Sequence, residues 1–339
     1  MIHRIELPRY IIKGEQVFEE LVKVARELGI RNPLVIADET TFRLAGGLVS
    51  EKLGSKHVIV SGATIEEAKR VEEMLKKGFD LAVAVGGGSV IDVAKVAAAD
   101  AGMPFFSLPT TISHDGIASS GASLIAGGKK TSIPSRVPLA VFADLGIIES
   151  APSRLFSAGC GDVLSKLTAV LDWRLAHKVK KEYYGDYAAE LALLSAKSVM
   201  RNAKKMAEDR KFGVHILFEA LISSGVAMSI AGSSRPASGA EHLFSHALDK
   251  IAPQPALHGE QVGVGTIMMA KLHGIDYDKI RRTLKVLGAP TTAKELGIDR
   301  EYIIKALASC HKIRDRYTIL GDGLSEEEAA RLAEEAGVI

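Results

Sequence analysis

The run LAVAVGGGSVIDVAK, Leu81 to Lys95, leaves an apolar strand, turns on three glycines and enters a helix. A strand that feeds a helix through a tight turn is the repeating step of a parallel sheet covered by helices on both faces. The flanking segments repeat that step. PLVIAD (Pro33 to Asp38) reads as a buried strand, TFRLAGGLVSEKL (Thr41 to Leu53) as a helix and HVIV (His57 to Val60) as a strand. TIEEAKRVEEMLKKG is a helix with apolar residues at helical spacing (Ile65, Ala68, Val71, Leu75). Pro104 to Pro109 is a further strand, and Ser119 to Asp144 suggests a β-hairpin excursion at the domain edge. After about residue 150 the strand signals vanish. Pro152 to Lys178, Glu182 to Glu208, Val214 to Ala231, Gly239 to Lys250 and Gly259 to His273 all read as helices. The expected architecture is therefore a Rossmann-like α/β domain over 1–150, followed by an all-α domain over 151–339.

The 339 residues suit two such domains. A net charge of +2 gives no reason to expect a nucleic-acid partner. No apolar run reaches the roughly 20 uninterrupted residues of a membrane span. The nearest, Leu217 to Gly232, contains Glu219. MIHRIELPRY has no apolar signal-peptide core. The only cysteines, Cys160 and Cys310, argue for a reducing cytoplasm rather than a disulfide framework. Side-chain amides are scarce: Asn32, Asn202, Gln16, Gln254 and Gln261. That depletion, with Lys and Glu plentiful, suggests a heat-loving source.

The glycine turn has a chemical reading as well as a structural one. Without a Cβ, Gly86, Gly87 and Gly88 let backbone N–H groups approach phosphate oxygens. The helix N-terminus adds unpaired donors and partial positive charge. The order is neither the usual dinucleotide fingerprint nor a Walker loop. Asp38, ending an earlier strand, could accept hydrogen bonds from a ribose or simply face solvent in a turn. The next turn, PTTISHDGIASS, places hydroxyls beside His114 and Asp115 at a strand's carboxyl end, where α/β sheets bind ligands.

The helical half carries metal-ligand types. Asp162 lies in AGCGDVLSK, at an expected helix start, where Asp is also a good N-cap. His242 and His246, four apart in SGAEHLFSHAL, share a helix face. His258 opens the next helix. An Asp/His/His set leaves a position open for substrate, as catalytic zinc sites do. Its mixed donors also suit iron(II) or nickel(II).

Taken in order, GGGSVIDVAK, PTTISHDGIASS, GCGDVLSK, SGAEHLFSHAL and LHGEQVGVG resemble one family over nearly the whole chain. The chain resembles the sn-glycerol-1-phosphate dehydrogenases, within the superfamily of iron-type alcohol dehydrogenases, glycerol dehydrogenase and dehydroquinate synthase. The resemblance implies the dehydroquinate synthase-like fold and residue roles. Gly86, Gly87, Gly88, Ser89 and Val90 would hold the pyrophosphate of NAD or NADP. Thr110, Thr111, Ile112, Ser113 and Ser119 would also line the cofactor site. Asp162, His242 and His258 would bind one divalent metal, zinc or else iron or nickel. Asp115, Asp162 and His246 would meet substrate, with Asp115 and His246 as candidates for moving the proton. The implied reaction reduces dihydroxyacetone phosphate to sn-glycerol 1-phosphate, the step that sets the glycerol stereochemistry of archaeal membrane lipids. The family also suggests a homo-oligomer.

Two rivals differ in substrate or reaction: a glycerol dehydrogenase acting on an unphosphorylated polyol, and a dehydroquinate synthase-like cyclase. The cyclase lacks support because Gly239 stands where its asparagine is expected. Arg235, seven residues before His242, offers a guanidinium fork suited to a substrate phosphate. Lys166 and the Lys129–Lys130 turn are the next candidates for that task.

Overall fold

Apolar runs buried on both faces form the centre of one six-stranded parallel sheet. The computed structural model describes residues 5–339, so the first four residues of MIHRIELPRY lie outside it. Its strands are β1 (Tyr10–Gly14), β2 (Pro33–Ala37), β3 (Lys56–Ile59), β4 (Leu81–Gly86), β5 (Phe105–Pro109), β6 (Gly121–Ala126), β7 (Lys129–Pro134) and β8 (Ala140–Asp144). The main sheet has the order β1-β8-β5-β4-β2-β3, and β6 pairs antiparallel with β7 apart from it. Strands β2, β4, β5 and β8 are buried at every residue, which is why they read as unbroken apolar runs. Val35, Val83, Phe106 and Phe142 pack there against Leu21 and Val24.

The helices of this unit, which ends at Pro152, are α1 (Phe18–Glu27), α2 (Glu39–Thr41), α3 (Gly47–Leu53), α4 (Ile65–Leu75), α5 (Gly88–Asp100) and α6 (Leu145–Ser150). Strands β2 and β4 are neighbours, yet the chain leaves β2 for β3 on one side and β4 for β5 on the other. Such a switch point leaves a crevice at the strands' carboxyl ends. The parallel register pairs Ile36 with Ala84, so Asp38 and Gly86 emerge at the same level.

Several details depart from the sequence reading. Strand β1 and helix α1 were not anticipated. The run 41–53 is not one helix: a π-helical turn, Phe42–Gly46, separates α2 from α3. The hairpin is confined to β6 and β7, and Ala140–Asp144 joins the main sheet between β1 and β5.

The second unit, Ser153–Ile339, contains α7 (Ser153–Leu164), α8 (Lys166–Lys180), α9 (Asp186–Glu208), α10 (Arg210–Ala231), α11 (Ala240–Ile251), α12 (His258–Leu272), α13 (Tyr277–Val286), α14 (Ala293–Leu296), α15 (Arg300–Ser309) and α16 (Glu326–Glu335). No strand occurs among its residues. Helix α10 is long and apolar enough to cross a membrane, but most of it is buried within the protein, as in a core helix. The expected helix Pro152 to Lys178 breaks at Ser165. There Ser165 Oγ and Lys166 Nζ both donate to the carbonyl of Asp162, at 2.6 and 2.8 Å. Side chains thereby take a terminal carbonyl that a continuing helix would bond through its backbone. Asp162 accordingly lies in the last turn of α7 and not at a helix start.

Candidate functional site

In the first unit, the glycine turn divides its three residues between two tasks. A Cβ on Gly86 would strike Val90 at 2.7 Å, and one on Gly88 would run into the His114 ring. Packing alone therefore demands glycine at Gly86, whereas at Gly88 the half-exposed His114 ring would have to turn away. At Gly87 the nearest atom to such a Cβ is Thr111 Oγ1, at an ordinary 3.5 Å. The space over Gly87 is open. Gly87 is the N-cap of α5 and no side chain caps the helix, so the first N–H groups are left to a ligand or to water.

The register Gly86↔Pro109 brings the second loop alongside. Thr110 N–H donates to the carbonyl of Gly86 at 3.0 Å, and the buried Thr110 hydroxyl has no protein partner. Ile112 and Ser119 are buried, while Thr111, Ser113 and Asp115 are half-exposed. Asp115 opens a single 3-10 turn, Asp115–Ile117. Lys95 holds this loop on α5. Fully buried, it donates to the carbonyls of Gly116 and Gly121 at 2.8 and 2.6 Å. Burial pushes its pKa down, against the opposing pull of Asp92 and Asp115. Asp38 caps α2, its Oδ1 accepting from Thr41 N–H at 2.7 Å. These features fit a nucleotide diphosphate: open backbone donors, a glycine kept clear and an orphaned buried hydroxyl.

In the second unit, one ligand atom each from Asp162, His242 and His258 lies within 4.8 Å of the other two. His242 Nε2 is 3.5 Å from Asp162 Oδ1, and the two imidazole centroids are 5.1 Å apart. Burial alone would raise the pKa of Asp162, but Lys166, His242 and His258 outweigh it and hold the carboxyl well below its usual range. Lys166 is itself fully buried, with Nζ 3.3 Å from Asp162 Oδ1.

Each histidine is oriented from behind. Glu241 is fully buried and held ionised, because His242, Gly239 N–H and Thr168 overcome the opposing effect of burial. A carboxylate can only accept. His242 Nδ1 therefore donates to Glu241 Oε1, 2.8 Å away, which turns Nε2 toward Asp162; without a cation, burial is outweighed by Asp162 and Glu241, which push the pKa of this ring up. His258 Nδ1 pairs with Ser245 Oγ at 3.2 Å, and Gln261 anchors that serine at 3.0 Å. A carboxylate and two imidazoles presented in this way fit a divalent cation with room for a further ligand. His246 stacks on His258 at 5.7 Å, and its Nδ1 is 3.8 Å from Asp249 Oδ2. Burial lowers its pKa, so its imidazole is neutral and able to take up or release a proton.

The helices that bring Asp162 and His258 together touch through main chain. A Cβ on Gly161 would overlap the Gly259 carbonyl, and one on Gly259 would overlap the carbonyl of Ala158. Gly263 packs on the Cα of Gly161 from the next turn of α12.

Curated relatives extend this picture to the whole chain. It is 55% identical to glycerol-1-phosphate dehydrogenase [NAD(P)+] of Pyrococcus furiosus, over 100% of both chains. The enzymes of the same name from Thermococcus kodakarensis and Methanosarcina mazei are 53% and 50% identical, over 100% and 99% of this chain and 99% and 96% of theirs. The chain belongs to the glycerol-1-phosphate dehydrogenase family. Residues 12–152 also match the iron-containing alcohol dehydrogenase family. Among solved structures, a probable glycerol dehydrogenase from Sinorhizobium meliloti superposes with a TM-score of 0.81 at 21% identity, covering 99% of this chain and 98% of its own. Glycerol dehydrogenase from Schizosaccharomyces pombe gives 0.81 at 19%, covering 99% and 90%. These two share the fold with this member of the glycerol-1-phosphate dehydrogenase family.

Arg235, offered by the sequence as a phosphate ligand in this family member, is held by protein partners. The Arg235 fork is occupied: Nε and Nη2 donate to Glu182 at 2.8 and 2.5 Å, and Nη1 to the carbonyl of Tyr317 at 2.8 Å. Arg235 is 6% exposed, so its charge is matched inside the protein. The sequence reading had overlooked Glu241, Ser245 and Gln261. Its available clue was Glu241's place directly before a candidate ligand, since metal-binding histidines commonly give their second nitrogen to a carboxylate.

Proposed function

We propose that the chain catalyses the reversible NAD(P)-linked reduction of dihydroxyacetone phosphate to sn-glycerol 1-phosphate, with one divalent metal held by Asp162, His242 and His258. The observation that carries the reading is the Asp/His/His set, buried at Asp162 and His242 and half-buried at His258, oriented from behind and found in a chain of this family. A cation bound there would act as a Lewis acid on the substrate's C2 oxygen, and a nicotinamide nucleotide would supply or accept the hydride.

The chain's own residues do the rest. Lys166 keeps Asp162 ionised. Glu241 and Ser245 fix the imidazoles, and His246, beside His258, takes the proton from the substrate hydroxyl as a neutral imidazole in the oxidation direction and returns it as the imidazolium in reduction. The N–H groups of Gly86 to Val90 bind the pyrophosphate, flanked by Thr110 to Ser113 and Ser119. Asp38 accepts from the ribose, and Asp115 contacts substrate.

Zinc suits the donor set, and iron(II) or nickel(II) would take the same atoms. The product would serve archaeal-type membrane phospholipid synthesis in the cytoplasm. The active form would be a homo-oligomer, and the source would be thermophilic. The deciding assay mixes metal-loaded protein with NADH and either dihydroxyacetone phosphate or dihydroxyacetone, follows absorbance and determines product chirality. Preference for the phosphorylated substrate and an sn-1 product are expected. Equal use of both would point to a polyol dehydrogenase, and no net loss of NADH to a cyclase.

A further inference from the structure

Four polar residues of α11, His242, Ser245, His246 and Asp249, recur at helical spacing and so share one face of the helix. Helix α12 packs against α11 and supplies the partners of that face. Ser245 stands behind His258, as described above. Gln261, fully buried, reaches both Ser245 and Asp249: its Nε2 lies 3.0 Å from Ser245 Oγ and 3.0 Å from Asp249 Oδ1. Its Oε1 accepts from Ala256 N–H at 3.2 Å, which settles which end of the amide faces α11. A side-chain amide has two hydrogens to give. Here one steadies the serine behind a proposed metal ligand and the other steadies a carboxylate.

The second oxygen of that carboxylate, Asp249 Oδ2, lies 3.8 Å from His246 Nδ1. Both side chains are largely shielded from water, and the His246 ring lies against that of His258. An N–H···O hydrogen bond spans about 2.7–3.2 Å. Hydrogen bonds of catalytic groups commonly run long without substrate and tighten in the reacting complex. A carboxylate only accepts. Closing this contact therefore keeps hydrogen on Nδ1 and leaves Nε2, the other ring nitrogen, to the substrate. By holding Oδ1, Gln261 keeps Asp249 turned that way.

We infer that Asp249, held by Gln261, is the positioning residue of the proton carrier: it accepts from His246 Nδ1 and so presents Nε2 to the substrate oxygen. This inference rests on the proposed dehydrogenase reading, in which His246 moves the proton. In the oxidation direction the substrate O–H bond breaks and its proton joins Nε2. The electron pair of that bond stays on the oxygen and forms the carbonyl as hydride leaves C2 for the nicotinamide. Asp249 keeps its charge throughout and faces the imidazolium that results. Reduction runs the same transfers backwards.

Metal-loaded Asp249→Asn should lose kcat about 10²-fold or more, part of the roughly 10²–10⁴ that a positioned acid–base group supplies. Metal content and the KM for NADH should stay unaltered. The deciding readout is the same substitution made in a His246→Ala protein. There it should change kcat by no more than about twofold, because a residue that acts only through His246 has nothing left to position. A merely structural role would cost both backgrounds alike. A second measurement needs no substitution at Asp249. In zinc-loaded protein with nitrogen-labelled histidine, the NMR signals that vanish in His246→Ala should report hydrogen on Nδ1. Equal losses in the two backgrounds, full activity in Asp249→Asn, or hydrogen on Nε2 alone would each overturn the inference and leave the dehydrogenase reading standing. A wild-type protein that does not reduce dihydroxyacetone phosphate at all would overturn both.

Discussion

Glu241 Oε1 lies 2.8 Å from His242 Nδ1, and on the far side of that ring Nε2 lies 3.5 Å from Asp162 Oδ1. One imidazole therefore joins a buried carboxylate that orients it to a carboxylate that would share its metal. Glu241→Gln keeps the shape and removes the charge, and the amide can turn either end to the ring. Metal affinity should drop about 10- to 100-fold, as for other partners of ligating histidines. Competition against a chelator measures it. An unchanged affinity would mean that the ring is fixed by packing alone.

Ligands and proton carrier should separate under mutation. Alanine at Asp162, His242 or His258 should lower bound metal and activity together. His246→Ala should retain the metal and lose activity, by about 10²- to 10⁴-fold if it moves the proton. Metal content by elemental analysis, beside turnover, checks both; full occupancy in His258→Ala would refute the ligand set.

Gly87 distinguishes a ligand's requirement from a packing requirement. Its Cβ position is open, so Gly87→Val should fold and keep its metal. The apparent KM for the cofactor should still rise at least tenfold, about 1.4 kcal/mol. Unaltered cofactor binding would reduce the turn to a structural one.

Lys166 balances Asp162 in the absence of metal. Lys166→Met should cost the metal-free protein about 3–5 kcal/mol, because it strands a buried carboxylate. A bound divalent cation should recover much of that loss by supplying the missing positive charge. Denaturant titrations with and without metal give the comparison, and an equal deficit in both states would count against it.

Lys95→Met should remove the partner of two loop carbonyls, at about 1–3 kcal/mol for each buried acceptor left unpaired. Faster hydrogen exchange in the 116–123 segment would report the loosened loop. Unchanged exchange there would show that the loop stands without the lysine.

The sequence was most legible where burial writes itself into composition. Strands β2, β4 and β5 are buried on both faces and show as apolar runs, so the alternation could be read directly. Strand β1 lies at the sheet edge with mixed exposure and left no such trace. The break at Ser165 was hidden because it depends on two side chains turning back to one carbonyl, which no periodicity records. The ion pair of Arg235 was hidden for a related reason. Its partner Glu182 is 53 residues away, and only the fold brings them together. Histidine types and spacing singled out the residues that lie close enough together to hold a metal.

The crossing of α7 and α12 at Gly161 and Gly259 has a consequence for selectivity among metals. Where main chain meets main chain, no rotamer change can widen or narrow the gap. For the proposed metal, the aperture between Asp162 and His258 would then be a gauge set by the close approach of two peptide backbones. A single added methyl at either glycine would press on the opposing backbone carbonyl, forcing the two helices to shift and changing the size of ion that the proposed site would admit.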